Sequence, residues 1–131
     1  MVIDASVAAK WFLDEQGSRT ALDLARSEEI LTSPDLVLYE VFSSVSAAVR
    51  RARAAPAVLE SLARQLPRAF SELVPTQALF EEAARLSLDS GHSVYDCVYL
   101  ALARRSGCTL VTADERQFAL AGQARIDARL L

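Results

Sequence analysis

Short apolar runs alternate along this chain with longer stretches in which apolar residues recur every three or four positions. That alternation of strand-like and helix-like periods sets the expected architecture. Met1-Val2-Ile3-Asp4-Ala5-Ser6 reads as a short strand ending in an acid, with Val7, Ala8, Trp11 and Phe12 following at helical spacing. A second helix is expected from about Ser18 to Ser27, then a strand near Ile30-Leu31-Thr32. Ser33-Pro34 reads as a helix start, since serine can cap and proline suits the first helical position. The helix it opens, about Asp35 to Ala54, is expected to be the longest in the chain. Pro56 opens another, which Pro67 stops at Leu66. Ser71-Glu72-Leu73-Val74 reads as a strand, Thr76 as the cap of a helix to Ser90 ended by Gly91, and Ser93 as the start of a helix ending at Gly107. Thr109-Leu110-Val111-Thr112-Ala113-Asp114 repeats the opening pattern: a β-branched strand, an acid, then a helical stretch through Phe118 and Leu120. A last short strand is expected near Arg125-Ile126.

Strands separated throughout by helices predict an α/β fold, a three-layer α/β/α sandwich with a short, mainly parallel central sheet. At 131 residues, with no linker, repeat or low-complexity tract, the chain reads as one domain over 1–131. A chain of that length buries roughly two-thirds of its unfolded surface. In an open parallel sheet the carboxyl ends of neighbouring strands lie together, and ligand sites collect there. Asp4 and Asp114, each at such an end, therefore point to one shared site.

Composition narrows the function. With 52% hydrophobic and 24% charged residues, nothing in the chain reads as disordered. A net charge of -3 and a pI near 5.1 argue against a general nucleic-acid binder. Arginines nevertheless cluster at Arg50, Arg51, Arg53, Arg64 and Arg68, and Lys10 is the only lysine. Arginine can grip phosphate oxygens through two nitrogens, so this segment is a candidate backbone contact as well as a candidate solvated helix face. Cys97 and Cys108 have neither zinc-site nor redox spacing and read as small buried hydrophobes in a reducing compartment. No apolar run reaches the roughly 20 residues that cross a bilayer, and Asp4, Lys10, Asp14 and Glu15 interrupt any leader-like segment. The expected location is the cytoplasm.

Four acids stand where strands or loops hand over to helices, or one turn into the helix: Asp4, Glu40, Asp96 and Asp114. Three have local explanations. Asp4 can cap the helix after it, Asp114 can form a capping box with Gln117, and Ser93-Val94-Tyr95-Asp96 is itself a box of that kind. Glu40 is different, because Leu36-Val37-Leu38-Tyr39 and Val41-Phe42 surround it with apolar residues. A carboxylate there costs several kcal/mol unless an arginine or another cation compensates it. At helical spacing Leu36, Glu40, Ser43 and Ala47 form one stripe. Converging carboxylates with few basic partners repel one another and raise their own pKa values unless a cation sits among them. Mg²⁺ or Mn²⁺, hard ions that take carboxylate and water oxygens, suit such a site. The lone His92 argues against a zinc hydrolase or a serine triad, and the four scattered glycines form no phosphate loop.

With those residues in view, the chain resembles the PIN domain family, and within it the VapC-type toxins of bacterial toxin-antitoxin pairs. Val2-Ile3-Asp4-Ala5-Ser6 resembles the opening motif, and Pro34-Asp35-Leu36 with Glu40 the second. Tyr95-Asp96-Cys97-Val98-Tyr99-Leu100-Ala101-Leu102-Ala103 resembles the third, and Leu110-Val111-Thr112-Ala113-Asp114 with Phe118 the fourth. No single motif is specific; four in family order are. The resemblance implies a metal-dependent endoribonuclease, with Asp4, Glu40, Asp96 and Asp114 as catalytic carboxylates holding one or two Mg²⁺ or Mn²⁺ ions. It implies Ser6 and Thr112 as supporting hydroxyls, and products with 5′-phosphate ends. Ser43 stands where many relatives carry asparagine, and Glu115 offers an oxygen at a place atypical for the family. The resemblance further implies an RNA substrate, a cognate VapB-type antitoxin and a homodimer.

Independently, Val37, Leu38, Val41, Phe42, Val45 and Val49, with the Ala-rich helix after Pro56, offer more apolar surface than docking one helix on a sheet needs, which a partner helix or the core can take. Two other readings stay open. An aspartyl-nucleophile phosphatase also places an acid after its first strand, but wants a second aspartate where Ser6 stands. A catalytically silent binding module would keep the fold without the chemistry.

Overall fold

A computed structural model describes all residues, Met1–Leu131. Five short strands, β1 (Val2–Ile3), β2 (Thr32–Pro34), β3 (Glu72–Val74), β4 (Leu110–Thr112) and β5 (Ala128–Leu130), form one sheet in the order β3-β2-β1-β4-β5, every neighbour parallel. Seven α-helices connect them: α1 (Ala5–Ala8), α2 (Ser18–Ala25), α3 (Leu36–Arg50), α4 (Ala57–Gln65), α5 (Phe80–Ser90), α6 (Val94–Ser106) and α7 (Glu115–Gln123). From β1 the chain steps outward to β2 and β3, then returns across the sheet to β4 and β5. Parallel crossovers are right-handed, so connections running in opposite directions cover opposite faces. Thus α1–α4 form one layer and α5–α7 the other, and the expected three-layer sandwich is what the chain adopts. α1 and α4 both pack on α3; α5 packs on α6, which crosses β1, β2 and β4.

Burial follows the apolar pattern. Seven consecutive residues of α6, Cys97–Ala103, are buried, because a helix pressed between a sheet and another helix has no solvent side along that stretch. On α3 the buried stripe is Val37, Val41, Val45 and Ala48, as four-residue spacing requires. Leu38 and Val49 are half-buried and Phe42 exposed, so the core takes only part of the apolar surface on this helix. No helix is long and apolar enough to cross a membrane. Both cysteines are free; Cys97 is buried, whereas Cys108, in the loop before β4, is only half so.

Local signals misplace three boundaries. Ser33 and Pro34, expected to start a helix, lie in β2, and the last strand falls at Ala128–Leu130 instead of Arg125-Ile126. Thr32 N–H donates to Met1 C=O, and the next rung of that ladder needs an N–H from Pro34, which has none. The Ser33 hydroxyl fills the gap, donating to Ile3 C=O at 2.7 Å. Thr76, expected as a helix cap, instead donates its N–H (2.8 Å) and its hydroxyl to Asp35, while its oxygen accepts the Leu36 N–H at 3.2 Å. That exchange fixes the start of α3 to the loop after β3.

Candidate active site

The strand order reverses direction between β1 and β4, and a crevice opens there at the carboxyl ends of the strands. Asp4 follows β1 and Asp114 follows β4 by two residues, which brings them together from opposite ends of the chain. Glu40 enters from the second turn of α3 and Asp96 from the first turn of α6. With Ala5, Ser6, Tyr99 and Gln117 they line one cleft of about 150 Å³. Larger depressions lie elsewhere, including an apolar groove of about 410 Å³ lined by Leu38, Tyr39, Phe42, Ser43, Leu62, Ala63, Leu66 and Pro67. The small cleft is the one that gathers the four acids singled out in the sequence.

Asp4 is the deepest of the four, 2% exposed. One oxygen caps α1, accepting Ser6 N–H at 2.6 Å and Val7 N–H at 3.2 Å together with the Ser6 hydroxyl at 2.5 Å. The other accepts the Thr112 hydroxyl at 2.5 Å. Burial still pushes its pKa up, against the hydrogen bonds from Ser6, Thr112 and Val7 that favour the ionised form. Glu40, half-buried, accepts the Tyr99 hydroxyl at 2.5 Å. Its pKa is raised by burial, opposed by that hydrogen bond and reinforced by the charges of Asp4 and Asp96. Burial and then the charge of Asp114 raise Asp96, and His92 acts in the other direction. Asp114 is exposed and caps α7, accepting Arg116 N–H at 2.7 Å and Gln117 N–H at 3.4 Å.

No lysine or arginine lines the cleft. The three ion pairs of the protein, Lys10–Glu15, Arg85–Glu81 and Arg104–Glu82, all lie elsewhere, so the arginine that would have explained Glu40 structurally is absent. Nor are three acidic, histidine or cysteine side chains gathered tightly enough to hold one metal ion among them directly. The donor set is thus negative, oxygen-only and spread around a small space.

A family model described as PIN domain matches residues 1–123. The chain belongs to the PIN domain family. Ribonuclease VapC3 of Pyrobaculum aerophilum is 32% identical to this PIN domain over 118 residues, 88% of this chain and 90% of that protein. The crystal structure of VapC20 of Mycobacterium tuberculosis, described as a sarcin-ricin loop cleaving toxin, superposes with a TM-score of 0.68 at 20% identity, covering 90% of this chain and 92% of that one. FitAcB from Neisseria gonorrhoeae gives 0.65 at 15% identity, over 97% and 94%. The two superpositions bear on fold alone.

Within this PIN domain the capping boxes are only half made. Ser93 accepts Tyr95 N–H at 3.2 Å and starts α6, yet hydrogen bonding does not enter into the behaviour of the Asp96 carboxylate, which faces the cleft. Gln117 likewise does not turn back to Asp114. It is buried, with its amide nitrogen donating to Asp96 C=O and its oxygen beside the Thr112 hydroxyl, both at 3.2 Å. The single Thr112 proton goes to Asp4, and the Thr112 oxygen accepts Asp114 N–H at 2.9 Å. Ser6 gives its proton to Asp4 and accepts Ala113 N–H at 2.8 Å. Ser43 is exposed and lines the apolar groove instead of the cleft. Arg50 lies at the end of α3, and Arg51 and Arg53 line a polar depression with Asp14 and Glu15; none reaches the acids. Tyr99, within the third motif, and Gln117, read as half of a capping box, are the cleft residues that the sequence did not assign to the site. The spacing of Asp96 and Tyr99, one helical turn, was the available signal for the first.

Proposed function

We propose that this PIN domain is a metal-dependent endoribonuclease of the VapC toxin kind, hydrolysing RNA phosphodiester bonds in the cytoplasm under the control of a cognate antitoxin. The observation that carries the reading is a cleft lined by four carboxylates, three with raised pKa values, and by no cationic side chain. Relatedness to Ribonuclease VapC3 supports the ribonuclease part. A carboxylate cluster without a cation is poor at binding a polyanion, whereas the same cluster with a divalent ion attracts phosphate.

Asp4, Glu40, Asp96 and Asp114 are the residues that would hold one or two Mg²⁺ or Mn²⁺ ions, in part through water, since these ions keep several waters when protein oxygens are widely set. When bound, such an ion supplies Lewis-acid chemistry, making water a better nucleophile and offsetting the charge that grows on phosphoryl oxygens. The protein's own part is to orient and to move a proton. Asp4, tied to two hydroxyls and two amides, is a fixed ligand. Asp96, half-buried and with no hydrogen bond on its carboxylate, is the freest of the three with raised pKa values and takes the proton of the attacking water. Ser6 and Thr112 support Asp4; Arg50, Arg51 and Arg53 guide the RNA backbone from outside the cleft. The exposed Tyr39 and Phe42, in the groove between α3 and α4, give a partner chain an apolar seat, whether antitoxin or second protomer.

Purified protein free of antitoxin, incubated with total RNA, is expected to cut only with Mg²⁺ or Mn²⁺ added, and Asp96→Asn protein is expected not to cut. Equal cutting by the Asp96→Asn variant, or none by the unaltered chain with any divalent ion, ends the proposal.

A further inference from the structure

We infer that Tyr99 is a positioning residue, whose buried hydroxyl holds one oxygen of Glu40 so that the other is presented to the cleft. The inference rests on the metal-dependent reading above and adds to it a role for a residue that is not one of the four acids.

Three observations carry it. Tyr99 is 3% exposed, so its ring is held by packing on α6 and has little freedom to swing. Its hydroxyl donates to Glu40 Oε2 at 2.5 Å, across 59 residues of sequence, and both side chains line the cleft with Asp96. Every buried side-chain oxygen or nitrogen has a hydrogen-bond partner, and Glu40 Oε1 accepts none from the protein, so Oε1 is the oxygen open to the cleft. A glutamate has three rotatable bonds and would otherwise sample several poses. Pinning one oxygen from a rigid ring removes most of them.

The phenol is also well suited to remain a donor. An ordinary phenol keeps its proton up to about pH 10, and this one is buried with that proton directed at Glu40 Oε2. A donor that keeps its proton across the working range cannot compete with Glu40 for a cation. Outer partners of metal ligands act in this way, and their loss typically weakens the site about 10- to 100-fold. The alternative is that Tyr99 is a core aromatic whose hydroxyl took the nearest acceptor.

The test is Mn²⁺ binding by the purified protein, read from the spin-resonance signal of free Mn²⁺, for the unaltered chain, Tyr99→Phe, Glu40→Gln and the double variant. Tyr99→Phe is expected to weaken Mn²⁺ binding about 10-fold, to lower kcat with KM for RNA unchanged, and to add nothing in the Glu40→Gln background. Replacing Tyr99 by p-aminophenylalanine, which restores a donor at the same place, is expected to recover binding and covers the case in which the phenylalanine variant does not fold. Unchanged Mn²⁺ binding by Tyr99→Phe, or an equal loss with Gln at position 40, overturns the positioning role alone. No Mn²⁺ binding by the unaltered chain overturns both this role and the metal-dependent reading.

Discussion

The acidic cleft and the α5–α6 face treat the same kind of charge in opposite ways. On α5, the exposed Glu81 pairs with Arg85 and Glu82 reaches Arg104 on α6 at 3.7 Å. In the cleft, Asp4, Glu40 and Asp96 are more buried, yet their neighbours are hydroxyls, a phenol, an amide and one another. Thirteen arginines were available, and the fold places them where water already screens charge. Where screening is weakest it leaves negative charge uncompensated. Proteins accept such local instability at functional sites, and the contrast separates a site from a surface more sharply than cavity size does.

The largest effect expected from this contrast is on catalysis. Asp96→Asn should lower RNA cleavage by about 100-fold or more, the scale of losing one group that manages transition-state charge; Glu82→Gln on α5 should leave the rate unchanged, both read from cleavage gels at fixed Mn²⁺. Next comes stabilisation by the ion itself. At Mn²⁺ about 100 times its dissociation constant, thermal unfolding should show a gain of about 2.7 kcal/mol, which the Asp96→Asn protein should largely lose and the Glu82→Gln protein should keep.

A smaller and more diagnostic effect concerns pH without metal. Asp4, Glu40 and Asp96 have raised pKa values in the folded state, so above the ordinary carboxylate range the native protein holds protons that the unfolded chain has released. Their contribution to stability is therefore fully present below about pH 4 and is lost as pH rises through the raised values. Glu40→Gln should accordingly unfold about 1 kcal/mol harder than the unaltered protein at neutral pH, with no difference near pH 4. A gain that is the same at both pH values would mean that the charge of Glu40 is not the destabilising element. Replacing Arg50, Arg51 and Arg53 together by glutamine should flatten the salt dependence of RNA binding by about 0.7 in slope for each phosphate no longer neutralised; an unchanged slope removes them from the RNA path. Smallest of all, Arg104→Gln should shift stability by less than about 0.5 kcal/mol in chemical denaturation, because its ion pair is largely exposed.

What could be read from the sequence was whatever depends on neighbours along the chain. The apolar run of α6, the stripe of α3 and the acids ending β1 and β4 all follow from periodicity and strand-end position. β2 was legible only as a strand near Ile30-Leu31-Thr32; it falls at Thr32–Pro34 because Ser33-Pro34 has little strand character of its own, two flanking strands impose it, and Ser33 repairs the missing rung. Thr76 and Gln117 matched local capping patterns, but each bonds across elements instead, to Asp35 and to Asp96. Glu40 announced that it needed a partner without saying which. The donor turned out to be Tyr99, which reaches Glu40 from the helical layer on the other side of the sheet, so only the folded chain could name it.

The bond between Thr112 and Asp4 spans 108 positions of sequence and ties β4 to β1 at the centre of the sheet. On a ribosome adding about 5–20 residues per second, roughly 5–20 s separate the emergence of the two side chains. Throughout that interval β1 has at most β2 beside it and nothing on its other edge, and Asp4 has no hydroxyl from across the sheet. A growing chain therefore carries all of its early acids without a finished pocket, and the last third of translation decides when one exists.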